Sequence, residues 1–223
     1  MEPALEVHPR EVWTPALLDE LHALAITMSA EPRAHFDKHA NTNDCVHLFR
    51  DRGAVIGFQF WKALTVPEAR LIVGGKLRIA PSYRRRSLHL RSGLAFYREQ
   101  LQRFPTVHRL SMASLFGFAS ITRALAHYEI VRAPDVPAWQ CDAIERLARE
   151  SDFAYDRATG LVRVGIQITP QQLAAYPESF YASPQVRAYA AHNPGYRDNG
   201  TYLAFGFALS SENLRALERA LDK

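Results

Sequence analysis

Apolar residues recur three and four apart at Leu17, Leu18, Leu21, Leu24, Ala25 and Met28, the period of one helix face. Thr14-Pro15 stands before them as N-cap and first helical residue, so the pattern predicts an amphipathic helix. Pro32 ends it or opens a short second piece over Arg33–His39. The period changes after the polar loop Asn41-Thr42-Asn43-Asp44. Val46–Arg50 and Ala54–Trp61 are apolar runs on either side of Asp51-Arg52-Gly53, which predicts a hairpin. Pro67-Glu68 turns the chain into a third run, Leu71–Ile79. Ala80-Pro81-Ser82 stop that run, because Pro81 offers no N–H and pushes Ala80 away from helical angles. Helical spacing returns at Leu90, Leu94, Phe96, Tyr97 and Leu101 and ends at Phe104-Pro105. Val107–Ala113 alternates as a strand.

The second half carries weaker signals. Ser114–Gly117 reads as a loop and Phe118–Ala126 as a helix. Arg132–Pro137 is linker-like. Ala138–Ser151 is helical, with Trp139, Ala143, Ile144 and Leu147 on one face. Tyr155–Gly160 is a polar turn and Leu161–Ile168 a strand by alternation. Short helices are expected at Pro170–Ala175 and from Ser183-Pro184, and a turn at Asn193–Tyr196. Thr201–Leu209 reads as a strand, and Ser210-Ser211-Glu212 opens a last helix with Leu214, Leu217 and Leu221 inward. The predicted class is α/β: a mixed, mostly antiparallel sheet flanked by helices. Residues 1–131 form its core. Residues 132–223 are a C-terminal extension that completes the sheet within the same domain, Leu161–Ile168 and Thr201–Leu209 pairing with each other or joining the main sheet.

Composition narrows the function. The chain has 223 residues, 48% hydrophobic and 22% charged, as in an ordinary globular protein. No apolar run is long enough to span a bilayer, and MEPALEVHPREVW has no secretion-signal core. Cys45 and Cys141 are far apart and form no metal or redox spacing, so a cytoplasmic protein with reduced thiols is expected. His35 and His39 share a helix face but lack the neighbouring Glu of a zinc hydrolase motif, and no metal is expected. The net charge of +4 suits an anionic ligand. No aromatic platform accompanies it, which disfavours nucleic acid. No Ser-His-Asp or Cys-His spacing points to covalent catalysis. Glu68, His108 and Ser111 lie near predicted strand ends and read as structural.

The basic cluster Arg84, Arg85, Arg86 and, one turn on, Arg91 sits between the Leu71–Ile79 strand and the helix after it. A helix start presents unpaired N–H groups and the positive end of its dipole, and arginines beside it suit a phosphate or pyrophosphate. The stretch IAPSYRRRSLHLRSGL resembles the acyl-CoA-binding motif of the GNAT acyltransferase superfamily, V-x-P-x-Y-R-x-R-G-x-G-x-x-L. Pro81, Tyr83, Arg84 and Arg86 match in place, while Ser87 and His89 stand where the family has glycines. Ala119 matches the family's later Asn-x-x-Ala-x-x-x-Tyr segment, in which Phe116 replaces the Asn and Arg123 the Tyr. The likeness runs from Thr14 to Val131.

The resemblance implies an acyl-CoA-dependent N-acyltransferase, with acetyl-CoA or another acyl-CoA as co-substrate and an amine as acceptor. It implies a cofactor-binding stretch of Ile79, Arg84, Arg85, Arg86, Ser87, Leu88, His89, Leu90 and Arg91. The pyrophosphate would lie on the backbone of Arg85–Leu90 and the pantetheine between the fourth and fifth strands. With the family's Tyr replaced, Ser114 is the hydroxyl assigned to protonate the leaving thiolate. The alternative is a non-catalytic GNAT-fold protein that binds a ligand or partner, suggested by the replaced Gly, Asn and Tyr. The acceptor, the acyl length and the choice between monomer and homodimer stay open.

Overall fold

The computed structural model describes residues 2–28, 32–84 and 86–222. The chain divides into two compact units, one ending at Val107 and one running from His108 to Asp222.

In the first unit, strands β1 (Ala4–Pro9), β2 (Cys45–Asp51), β3 (Ala54–Thr65) and β4 (Arg70–Ile79) pair antiparallel in chain order. The expected hairpin is β2–β3. Its two-residue turn puts Arg52 at φ 49° and Gly53 at φ 84°, the mirror-image turn that matches strand twist. Helices α1 (Pro15–Ile26) and α2 (Arg33–Asn41) cover one face of this ladder. Thr14 caps α1 as expected, its hydroxyl accepting from the Leu17 N–H at 3.1 Å. Leu21, Ala25, Phe36 and Ala40 pack there on Val46, Leu48, Phe58 and Phe60.

Helix α3 (Leu88–Arg103) covers the other face. Leu88 joins Phe49 and Ile56, and Trp61 stacks on Phe96 at 5.1 Å. Because β3 is buried on both sides, it reads in sequence as a continuous apolar run rather than an alternation. Each large side chain fully buried here contributes about 1.5–3 kcal/mol. The β3–β4 register shifts by one residue between Gln59 and Trp61, so Phe60 faces both Gly75 and Lys76. The Gly75 carbonyl in this bulge accepts from Gln59 Nε2 at 3.1 Å.

The sequence pattern does not predict strand β1. Its six residues alternate only as Leu5 and Val7 between polar neighbours, with Pro3 before them and Pro9 at their end, which is too short a pattern to mark a strand.

The second unit is built on β9 (Thr201–Ala208). It pairs antiparallel with β5 (Val107–Ala113) from His108 to Ala113, with β6 (Glu129–Ile130) and with β8 (Leu161–Arg163). Strand β7 (Ala154–Asp156) adds to β8. Helices α4 (Leu115–Thr122), α5 (Ala138–Glu150), α6 (Pro170–Ala174), α7 (Glu178–Tyr181), α8 (Pro184–His192) and α9 (Ser211–Leu221) complete it. The protein is thus α/β, and every pairing described within either unit is antiparallel.

Buried Asn213 uses its whole amide as a clamp. It accepts from the N–H groups of Ala126 and His127 and donates to the carbonyls of His127 and Ala208, all at 2.9–3.0 Å.

Three expectations are corrected in this unit. The strand expected over Leu161–Ile168 stops at Arg163, because Gly165 takes φ 71°. The N–H groups of Val164 and Gly165 both turn to the Gly200 carbonyl at 3.0 Å, which leaves Ile166 56% exposed. Helix α4 starts at Leu115, inside the expected loop, because Ser114 is already extended (φ −65°, ψ 169°) and sits at the N-cap. The stretch Tyr155–Gly160 is not all turn, since its first residues form β7 of a hairpin with β8. Leu161–Arg163 does pair with Thr201–Leu203, as expected for those two segments.

Strand β9 is the common partner of β5, β6 and β8, so removing it strands three ladders at once. A fragment ending at Val131 is expected to be insoluble or to melt without cooperativity in calorimetry; a soluble, cooperatively melting fragment would contradict this account of the unit.

Candidate functional site

The candidate site is the link from β4 to α3. Ile79 ends the strand among the Phe49–Ile56–Leu88 cluster, and the Ala80 N–H donates to the Ile56 carbonyl at 2.8 Å. Pro81–Tyr83 then make one tight 3-10 turn. The Tyr83 hydroxyl donates to Asp51 Oδ2 at 2.5 Å, which raises the phenol pKa and ties the loop to the β2–β3 turn. Arg84 continues in extended conformation (φ −62°, ψ 156°). Arg86 lays its guanidinium 4.7 Å from the centre of the Tyr83 ring, a cation–π contact of about 0.5–1 kcal/mol at an exposed position. Both arginines are exposed, and Arg85 lies outside the described residues.

Ser87 is the N-cap of α3, at φ 52° and ψ 22°, with no side-chain cap bond. This is the left-handed region, which disfavours any residue with a Cβ. The backbone here therefore has the conformation that glycine adopts most easily, at the position where the resembling family has glycine. The Ser87 carbonyl accepts from the N–H groups of Leu90 and Arg91, at 2.9 and 3.1 Å. The N–H groups of Leu88 and His89 precede the first intrahelical acceptor, as at any helix start. They carry the positive end of the dipole of a 16-residue helix. Leu88 and Leu90 point inward and are buried, whereas His89 is half-buried.

Arg91 belongs to a different contact. It pairs with Glu2 at 2.8 Å and donates to the Pro3 carbonyl at 3.0 Å. Its guanidinium secures the segment that leads into β1.

The remaining sequence candidates fall elsewhere. His35 and His39 face each other on α2 with ring centres 4.6 Å apart. Among the described residues no group of three or more His, Cys, Asp or Glu is placed to hold a metal. No described helix is long and apolar enough to cross a membrane. Glu68 is exposed in the β3–β4 turn. In the second unit, Ser114 caps α4 by backbone alone, and His108 packs edge-on against Trp139 at 5.3 Å. Ser111 is buried on β5, its hydroxyl without a partner among the described residues. Phe116 stacks on Tyr176 at 4.6 Å and on Phe180 at 5.9 Å.

Sequence reasoning gave no role to His47. It is fully buried on β2 beneath α3. Its Nδ1 lies 2.9 Å from the Ser92 hydroxyl, which also accepts from Trp61 Nε1 at 2.8 Å. Its Nε2 has no partner among the described residues. Burial pulls its pKa down to about 4, against a smaller opposing effect of the Ser92 contact. A lone His inside an apolar strand offers no sequence signal for such a role.

No protein-family model matches the chain, and no curated protein matches it. Among solved structures it is similar to an acetyltransferase of the GNAT family from Staphylococcus aureus, at 12% identity and TM-score 0.42, over 60% of this chain and 89% of that one. It is also similar to a GNAT-family N-acetyltransferase from Escherichia coli in complex with CoA, at 15% identity and TM-score 0.41, over 58% and 70%. A third likeness is to an IAA acetyltransferase from Bacillus cereus, at 11% identity and TM-score 0.43, over 93% and 99%.

The backbone at Ser87 and the burial of His47 can each be measured. Ser87→Gly relieves a left-handed serine and is expected to stabilise by about 0.5–1 kcal/mol, a rise of about 1–4 °C in Tm for a chain of this size. Ser87→Val should lower Tm, because a β-branched residue fits that backbone worst. For His47 the variable is acid. It has a folded pKa near 4 and an unfolded one near 6.5, so the unfolded chain binds the extra proton between those values. Its contribution is fully present above pH ~6.5 and is lost as pH falls to ~4, for a total of about 3 kcal/mol. Urea denaturation at pH 7 and pH 4.5 should show this loss in the wild type and a smaller one in His47→Gln.

Proposed function

We propose that the protein is an acyl-CoA-dependent N-acyltransferase, transferring an acetyl or longer acyl group to an amine. The observation that carries this reading is the backbone at Ser87. A left-handed residue between the exposed arginines that follow the 3-10 turn and the first N–H groups of a long helix forms a cradle for a diphosphate. The residues present fit the group. Arg84 and Arg86 are exposed beside the cradle, Tyr83 is fixed by Asp51, and the motif from Pro81 to Arg86 keeps the family's spacing.

When bound, the acyl-CoA thioester supplies an activated acyl group to a nucleophile. The chain's own residues hold and orient. The N–H groups of Leu88 and His89 donate to the phosphate oxygens, with the α3 dipole behind them. The guanidinium groups of Arg84 and Arg86 neutralise the diphosphate charge through charge-assisted hydrogen bonds. Arg86 stays over Tyr83, so part of its side-chain freedom is lost before ligand arrives and less is lost on binding. Arg91 is not assigned to the phosphates, because Glu2 and Pro3 engage it.

A second reading is favoured by Phe116. Its stacking on Tyr176 and Phe180 puts an apolar aromatic slab where the family carries an amide, which suits a binding protein without turnover.

Calorimetric titration with acetyl-CoA tests the first reading. Each charged contact to phosphate is worth about 1.5–3 kcal/mol. Arg84→Ala with Arg86→Ala should therefore weaken binding by roughly ten- to a hundredfold per lost contact. Ser87→Gly should bind as well as the wild type or better. No binding to the wild type at millimolar acetyl-CoA or a longer acyl-CoA overturns the proposal. Tight binding without acyl transfer to any amine favours the second reading.

A further inference from the structure

We propose that the outer edge of β1 pairs with the same edge of a second copy of this chain, antiparallel and centred on Val7, so that two copies share one continuous sheet.

Strand β1 has β2 on one side, and among the described residues no strand pairs with its other side. The bonding phase tells which groups lie on that open side. The Arg10 N–H donates to the Asp44 carbonyl at 2.8 Å, which continues the ladder one step beyond the Pro9–Cys45 pair. Bonded and unbonded pairs alternate along an antiparallel ladder, so Ala4, Glu6 and His8 bond to β2. The main-chain groups of Leu5, Val7 and Pro9 face outward. Pro9 agrees with this phase, since the N–H it lacks would have pointed away from β2. The edge therefore offers the N–H groups of Leu5 and Val7 and the carbonyls of Leu5, Val7 and Pro9.

Edge strands are commonly blunted by a central charge, a bulge or a covering loop. Here the residue in the middle is Val7, 50% exposed, and the β1–β2 register runs without a shift from Ala4 to Pro9. Val7 stands opposite His47, on the face that α3 covers. Glu6 and His8 stand opposite Leu48 and Val46, on the face of α1 and α2.

Charge selects both the occupant and the register. A two-fold pairing must set outward groups against outward groups, which restricts its centre to Leu5, Glu6, Val7 or His8. Centred on Glu6, it opposes two carboxylates, and like charges directly opposite are destabilising. Centred on His8, it keeps only the bonds of the Val7 N–H groups, because Pro9 has none to return. Centred on Leu5, it needs the Pro3 carbonyl, which Arg91 already engages at 3.0 Å. Centred on Val7, the two Val7 residues exchange both bonds, and each Leu5 N–H reaches the Pro9 carbonyl of the other copy. Glu6 then lies directly opposite His8 of the second copy, on both sides of the axis, and Val7 lies opposite Val7. Within one chain Glu6 meets His8 at 3.2 Å and Arg50 at 3.0 Å, both through Oε2, so Oε1 can accept from the imidazole of the second copy. A segment that complements itself is an isologous surface, and the pair uses up the edge, which closes the assembly at two.

The test is sedimentation velocity of the full chain over a dilution series, with hydrogen exchange read at Leu5 and Val7. The concentrated wild type should sediment at twice the mass of the chain, and exchange of the Leu5 and Val7 amides should be roughly tenfold slower or more than in the dilute sample. Val7→Lys sets two like charges at the centre and should sediment as a monomer at the same concentrations. Val7→Pro removes an outward N–H, leaves the β1–β2 bonds in place, and should do the same with an unchanged circular dichroism spectrum. Val12→Lys, at a valine 51% exposed just beyond β1, should leave the dimer intact. His8→Glu opposes carboxylates on both sides of the axis and should weaken association by about tenfold, whereas His8→Lys should keep it. The proposal is overturned by a wild type that stays monomeric up to millimolar concentration, by an assembly larger than two, or by a dimer that both Val7 variants leave intact. A dimer with unchanged exchange at Leu5 and Val7 overturns the edge contact without recourse to any variant. Loss of the dimer in Val12→Lys gives the contact to an apolar patch and overturns it as well. Unchanged association in His8→Glu overturns the register.

Discussion

The ladder of β3 between β2 and β4 is the constraint on which the first unit depends. Its side chains are held from both faces: Phe58 and Phe60 by Phe36, and Trp61 by Phe96 and Tyr97. Once β3 is fixed in this way, the register of β4 is fixed too, including the one-residue shift at Gly75–Lys76. A slip of one residue elsewhere would turn every β4 side chain to the wrong face. The shift is tolerated here because Gln59 takes up the freed Gly75 carbonyl and because Gly75 has no side chain to collide with Asn43.

The loop after β4 inherits this order. Ala80 hydrogen-bonds Ile56 of β3, and Tyr83 reaches Asp51 at the end of β2. The 3-10 turn is thus held to two strands of the ladder before the chain reaches the arginines. Beyond the turn the restraint weakens, and Arg84 and Arg86 are exposed. A rigid base with exposed charged ends is a common way to bind an anion, since the backbone supplies direction and the side chains supply charge. The strain at Ser87 belongs to the same design. The cost of a left-handed serine, of order 1–2 kcal/mol, persists only because Leu88 and Leu90 bury the first turn of α3 and leave the chain one way to enter the helix.

Much of the first unit was legible in the sequence because its signals are strong and local. Thr14-Pro15, the Arg52-Gly53 turn and Pro81 each mark a boundary by backbone chemistry, and the structure places the boundaries within a few residues of them. The site was legible only in part. Ser87 announced itself through the motif, but its φ is a property of the fold. Arg91 looked like one more member of the basic cluster, because nothing local reveals that residues 2 and 3 return beside α3. The second unit was harder to read because its elements are short and its order depends on β9, whose partners are distant in sequence. The alternation of Leu161–Ile168 was real, but one glycine at φ 71° overrides it.

Lys76 shows why the surroundings of a charge on β4 are not read from the sequence. Along β4, the pair Lys76 and Arg78 reads as ordinary alternation on a solvated strand face, and His35 and His39 read as one face of a short helix. Only the bulge, which depends on the pairing of β3 with β4, brings Lys76 over the Phe36 ring of α2. The two basic regions then differ in physical character. The arginines of the loop are exposed, so their attraction for an anion is screened over about 8–10 Å at ordinary salt. Lys76 is half-buried against Phe36, where screening is weaker. The loop is therefore suited to drawing in a highly charged ligand from a distance.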